Sequence, residues 1–340
     1  MIKNIQGLRF IAALAVVLYH YGQRYTAAGG EGILSPIFQA GSRYGFVGVD
    51  VFFVISGFVI WTATTTKHKP ADIPGYLWKR LIRIFPTYWI WLSVMAFVWV
   101  FIIDKDGFDW LASFSLLPAT DGRLVLGVAW TLTFELMFYA VVALTMFGPR
   151  SAGLAVIGIW GLVAVVSGFT ASSQQSVFLN PIISEFALGV ALAELTRRGV
   201  RFPLWGCFML VIFGVVAAEA TYMQMASGNS RWAYRALCFG AVGAGMVAAA
   251  IRLEQDGVIS GRRTVALGNA SYALYLIHTP VLHGLIALYW KLTKSYPDIF
   301  FGSLIVISII MSLAFYSFFE KPINRWRPRP WRDLDAQMAS

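Results

Sequence analysis

With 340 residues of which 58% are apolar, 16% aromatic and only 13% charged, and a mean hydropathy of +0.66, the chain is too apolar for a soluble domain of this size. Repeated apolar stretches of about 20 residues mark a polytopic membrane protein. The net charge of +10 then needs no nucleic acid, because basic residues gather on one side of such proteins and suit anionic headgroups.

The apolar pattern predicts an all-α protein with about ten transmembrane helices, near 8–22, 45–65, 82–103, 124–147, 152–169, 180–196, 204–222, 234–252, 268–290 and 299–319. No internal repeat, coiled coil or low-complexity tract appears. The first segment is short for a span and carries Arg9 and His20. Eleven residues amount to roughly three helical turns, so both side chains share one face, about 16 Å apart along the axis. Intramembrane ionisable groups point to function. The segment makes a poor signal peptide, with one basic residue before it and Tyr19-His20-Tyr21 at its end.

The second segment holds Asp50 and Ser56, with Gly45, Gly48 and Gly57 placed either for close packing or, at Ser56-Gly57, for a local opening of the helix. The third opens with Lys79-Arg80-Leu81-Ile82-Arg83, whose two arginines lie on one face at i and i+3. The fourth carries Trp130, Thr131 and Glu135. Glu185 lies within the sixth and could line a polar cavity, while Glu194 and Glu219 sit towards helix ends. Cys207 and Cys238 read as free structural thiols. The ninth carries His278 and His283, and His68 falls in a loop that reads as solvated. The four histidines show no metal-ligand spacing.

With the N-terminus inside, 19 basic residues fall on the cytoplasmic side and eight outside: Arg24, Arg43, Lys105, Arg123, Arg231, Arg235, Lys291 and Lys294. Both termini are then cytoplasmic. Residues 1–320 form the membrane-embedded domain and 321–340 a basic cytoplasmic tail that contacts lipid. No gap between helices is long enough for a soluble catalytic domain, so any chemistry lies in the bundle or at its faces.

Two polar clusters emerge. Arg9, Arg80 and Arg83 at one membrane surface suit a multivalent phosphate, because planar guanidinium groups bind it bidentately; headgroup contact is the plainer alternative. His20, Asp50, Glu135 and His278 combine a proton acceptor for near-neutral pH with carboxylates that could orient it. Interhelical hydrogen bonding is the competing role for these residues.

Six blocks in order give the chain a family resemblance: Arg9-x10-His20, Gly48-Val49-Asp50-Val51-Phe52-Phe53-Val54-Ile55-Ser56-Gly57-Phe58, Arg80-Leu81-Ile82-Arg83-Ile84-Phe85-Pro86, Trp130-Thr131-Leu132 through Glu135 to Phe138-Tyr139, Ser271-Tyr272 through Tyr275 to His278, and Phe319-Glu320-Lys321-Pro322. Over nearly its whole length the chain resembles the acyltransferase-3 family of integral membrane acyltransferases. The resemblance implies an O-acyltransferase that moves an acyl group, commonly acetyl, from cytoplasmic acyl-CoA to a hydroxyl of an extracytoplasmic or lipid-linked glycan, in a bacterial inner membrane and without a metal. It makes His20 the catalytic histidine and Arg9 its motif partner. Thr131 stands where serine is more usual and keeps the hydroxyl. An appended hydrolase-like domain of some relatives has no counterpart, so the chain is expected to complete the transfer itself. On this reading Arg9, Arg80 and Arg83 hold the CoA phosphates, and His20 is the base oriented by Glu135 or Asp50. Ser56, Trp130, Thr131, Tyr275 and His278 are candidates for substrate or oxyanion contacts. A covalent acyl-histidine is the main variant. The alternative class is a secondary transporter or lipid-linked glycan flippase, against which the missing repeat speaks. The acyl group, the acceptor hydroxyl and the oligomeric state stay open.

Overall fold

The computed structural model describes residues 2–65, 68–118, 123–170, 176–221, 230–292 and 296–325; the tail from 326 onward lies outside the described residues. Among the described residues fourteen α-helices run in order: α1 Lys3–Ala27, α2 Ser35–Tyr44, α3 Val47–Ala63, α4 Ile73–Phe97, α5 Trp110–Ser115, α6 Trp130–Thr145, α7 Arg150–Thr170, α8 Ile183–Arg197, α9 Leu204–Ala220, α10 Arg231–Gln255, α11 Arg262–Asn269, α12 Ser271–Leu292, α13 Pro297–Phe315 and α14 Lys321–Ile323. Among the described residues the only β pairing is a single bridge between Phe108 and Arg123.

All ten expected apolar segments are helical. Among the described residues six runs are long and apolar enough by themselves to cross a membrane: Lys3–Ala27, Pro70–Ile103, Gly127–Thr145, Arg150–Thr170, Arg231–Gln255 and Pro297–Ile323. A seventh crossing results if α2 and α3, bent by 56°, count as one broken span. By contrast, the 15 residues of α8 reach only about 22 Å at 1.5 Å per residue, short of a hydrocarbon core of about 30 Å.

The first helix is longer than its apolar stretch, at 25 residues, because its polar ends are bound. Asn4 accepts from the Ser260 amide at 2.7 Å and donates its side-chain amide to the carbonyls of Val258 and Ala250 at 2.7 and 3.2 Å. At the other end Tyr25 donates to Asp298 Oδ1 at 2.5 Å. Between these anchors α1 packs against α2, α3, α10, α11, α12 and α13 and forms the centre of the bundle.

Close approach of backbones sets the remaining geometry. A Cβ on Gly48 would stand 2.2 Å from the Ala12 carbonyl oxygen of α1, and one on Gly57 2.1 Å from that of Phe186 on α8. The helix α3 runs unbroken through Ser56-Gly57, so close packing is the use of Gly57. Asp50, fully buried on α3, receives Arg235 of α10 in a two-point pair, Nε to Oδ1 and Nη2 to Oδ2, each at 2.9 Å. Glu185 of α8 lies beside Asp50, likewise fully buried. Glu194 ties Arg150, Arg197 and Arg198 together at the far end of α8. Cys207 and Cys238 are free and buried.

Two changes test this packing by thermal unfolding of the purified protein. Gly57→Ala destabilises by about 1–3 kcal/mol through overpacking, whereas Gly158→Ala, with no atom within 4 Å of the added Cβ, is neutral. Asp50→Asn strands the Arg235 guanidinium and costs about 3–5 kcal/mol.

Candidate active site

Three cavities follow one another along α1. A cleft of about 310 Å³ opens near its N-terminal end, lined by Arg9, Lys79, Arg80 and Arg83, with Tyr272 and Glu320. Arg9, Arg80, Arg83 and Tyr272 also line the next, a narrow cavity of about 70 Å³ in the bundle, with Ser56, Thr131, Glu135, Tyr139 and Tyr275 on its other walls. The structure thus brings the three arginines of the sequence reading together. The arginine pair comes from the third turn of α4, where i and i+3 face one way. The Arg80 guanidinium lies over the rings of Tyr76 and Tyr139, at 5.6 and 5.7 Å. Glu320 is buried at the cleft, one carboxylate oxygen without a hydrogen-bond partner among the described residues.

The third cavity, a vestibule of about 970 Å³, is where His20 sits, with Tyr19, Trp99, Trp130, Trp232 and His283. It shares Val49 and Tyr275 with the middle cavity. That shared wall is stiff. Tyr275 donates its hydroxyl proton to the Val128 carbonyl at 2.8 Å, and the Thr131 hydroxyl lies 2.9 Å from Tyr275 and 3.1 Å from the same carbonyl.

His20 is half-buried and its Nδ1 stands 2.9 Å from the Val16 carbonyl oxygen, one turn back on α1. The same nitrogen lies 3.2 Å from His278 Nε2. His278, wholly buried, has its Nδ1 3.2 Å from the Leu274 carbonyl. A carbonyl can only accept, so Nδ1 of each neutral ring carries the proton. His278 Nε2 is then a bare acceptor for His20 Nδ1–H. The proton-free nitrogen of His20 is Nε2, for which no hydrogen-bond partner occurs among the described residues. This tautomer is the one a general base needs.

The carboxylates expected beside His20 are engaged elsewhere. Asp50 serves Arg235. Glu135 Oε1 accepts from Tyr139 at 2.5 Å and from Ser56 at a long 3.4 Å, in the middle cavity. The helix rotations that bury Asp50 against α10 and turn Glu135 towards Tyr139 leave His278 as the histidine's neighbour. Glu185, expected to line a cavity, is packed against Asp50 and lines none of the three. His68 is half-buried and edge-on to Trp61, with ring centroids 5.7 Å apart, rather than solvated.

Several vestibule residues were missed from sequence: Trp99, Trp232, His283 and the basic Lys105, Arg123 and Arg231. His283 lies 4.9 Å from Trp99, ring to ring. A signal existed in Arg231-Trp232 and Arg235, which share a face at the start of α10. No group of three or more His, Cys, Asp or Glu residues placed to hold a metal occurs among the described residues.

Comparison with known proteins agrees with this architecture. A family model described as an acyltransferase domain matches residues 2–317. The exopolysaccharide production protein ExoZ of Rhizobium meliloti (strain 1021) is 28% identical over 305 residues, covering 83% of this chain and 90% of that one. Nodulation protein 10 of Rhizobium leguminosarum bv. viciae is 25% identical, covering 85% of each. The O-acetyltransferase OatA of Staphylococcus aureus (strain NCTC 8325 / PS 47) is 20% identical over 95% of this chain and 57% of that longer protein. No solved structure matches. With a family model spanning all but its last residues, and the Arg9 and His20 cavities arranged along one central helix, the chain belongs to the acyltransferase-3 family of membrane acyltransferases.

Proposed function

We propose that the protein is an O-acyltransferase of a bacterial inner membrane, moving an acyl group, acetyl above all, from cytoplasmic acyl-CoA to a hydroxyl of an extracytoplasmic or lipid-linked glycan. About ten membrane-spanning helices within residues 1–320 form the catalytic unit, both termini are cytoplasmic, and the tail from 321 onward meets lipid. One observation carries the reading: a basic cleft and a histidine vestibule reach towards each other along α1 and meet at the wall of Val49 and Tyr275. The names of ExoZ and OatA, which speak of exopolysaccharide and O-acetyl transfer, supply the acceptor class and the acyl group.

The cleft suits a polyphosphate donor. Arg9, Lys79, Arg80 and Arg83 bring four positive charges against the single carboxylate of Glu320, and guanidinium forks match phosphate oxygens. The donor's pantetheine arm would point into the narrow middle cavity, with its thioester towards the Tyr275 wall. His20 Nε2 takes the proton of the acceptor hydroxyl as that oxygen attacks the thioester carbonyl carbon. The carbon–sulfur bond then breaks, and the proton passes to the leaving thiolate, giving ester and free CoA thiol. His278 holds His20 in the required tautomer and is a positioning residue. Tyr275 and Thr131, with hydroxyls on the shared wall, are the candidates to meet the developing oxyanion, while Ser56 and Glu135 line the arm's cavity and Trp130 lines the acceptor's.

Transfer from radiolabelled acetyl-CoA, read beside calorimetric binding of CoA, tests these roles. His20→Ala lowers turnover by about 10²–10⁴-fold with CoA binding retained, and equal loss of both would remove its assignment as base. Arg9→Ala weakens CoA binding by about tenfold or more, as loss of a charge-assisted phosphate contact requires. His278→Ala lowers kcat with little change in the KM for the donor, and His278→Gln, which restores an acceptor for His20 Nδ1–H, recovers part of the loss. A fall in donor KM in place of kcat would assign His278 to binding.

A further inference from the structure

We infer that the vestibule selects an acceptor bearing negative charge: an anionic saccharide, with the charge a sugar-acid carboxylate or the phosphate of a lipid-linked glycan. This deepens the acyltransferase reading above and rests on it. Outer segments of membrane proteins are depleted in Lys and Arg, and the topology leaves eight such residues outside. Four of the eight, Lys105, Arg123, Arg231 and Arg235, line this one cavity. Acidic residues are close in sequence, at Asp104, Asp106 and Asp109, yet no carboxylate is among the described lining residues.

Among the described residues only Arg235 is offset, by Asp50 behind it. The other three add positive charge that no described lining carboxylate balances, and low-dielectric walls focus such a field. Two of them are held by aromatic rings: the Lys105 ammonium lies 5.0 Å from the Trp99 ring centroid and the Arg231 guanidinium 5.6 Å from that of Trp232. The Trp99 indole is itself anchored by an N–H bond to the Val125 carbonyl at 2.8 Å. Large flat rings beside cations match a sugar that has C–H faces to stack and an anionic group to pair. His20 on the same surface then meets a neighbouring hydroxyl. A neutral sugar would cover the same cations and gain nothing for their lost hydration.

The test is equilibrium binding by tryptophan fluorescence on the purified full-length protein, with no acyl donor present. It compares a neutral oligosaccharide with the same backbone carrying a uronate or a phosphate. At about 50 mM salt the charged sugars bind at least about tenfold tighter than the neutral one, and the advantage shrinks several-fold at about 500 mM. Whichever charged form binds tighter names the source of the charge. The triple variant Lys105→Gln/Arg123→Gln/Arg231→Gln brings the ratio of charged to neutral affinity close to one. Arg43→Gln, on the same side but paired with Glu219 outside the cavity, leaves the ratio unchanged. Equal binding of all three sugars by the wild type overturns the proposal, as does a preference that survives the triple change. The salt titration needs no variant and decides the matter if the triple variant does not fold. Acyl transfer that fails for every sugar would refute the function proposed above, while charge selection would still be read in the binding data.

Discussion

An ionisable group inside a bilayer persists only where a partner or water reaches it, and that constraint arranges this bundle around α1. Arg9 and His20 cannot both be paired along one apolar helix, so the neighbouring helices part at each end to leave a cavity for each. Between them Ala12, Ala13, Val16 and Val17 are buried in close packing, where glycines of α3 let the backbones approach. Charges without a cavity are answered by pairing instead. Asp50 meets Arg235 at two points, and Glu194 gathers three arginines. The site and the scaffold thus solve the same electrostatic problem in two ways.

Much of this was legible in the sequence because helical period and hydropathy act locally. The shared stripe of Arg9 and His20, the one-sided placement of Arg80 and Arg83, and the helical character of the apolar stretches all follow from spacing, whereas the count of ten crossings does not reappear in the six or seven runs long enough to span. The ends of α1 did not follow, since Lys3, Asn4 and Gln6 look like a polar leader until the loop that binds Asn4 is seen.

What stayed hidden depends on how helices are rotated against one another. His20 and His278 lie 258 positions apart, and nothing in either segment states which histidine or carboxylate will meet which. Asp50 and Glu135 were reasonable neighbours for the imidazole by depth, and helix rotation sent each to a different partner. The vestibule's basic residues escaped notice for another reason. They sit in a connecting segment and on the first turns of α10, where single charges look like ordinary surface until the fold gathers them.

The wall of Tyr275, Thr131 and Val128 has an electrical consequence. In an energised bilayer the voltage falls mainly across whatever is not filled with water, and here water-accessible space from the two ends stops at one layer of side chains. A proton taken from a hydroxyl on the His20 side and delivered to the thiolate on the other carries one elementary charge across that layer, worth about 2.3 kcal/mol per 100 mV. The acyl group crosses the opposite way and leaves its bonding electron pair on sulfur, so the two movements cancel, while the donor's phosphates stay behind at the arginines. Neutral alcohol becomes neutral ester on one side, and neutral thioester becomes neutral thiol on the other. In the proposed reaction each esterification is therefore electroneutral, and the membrane voltage neither drives nor opposes it.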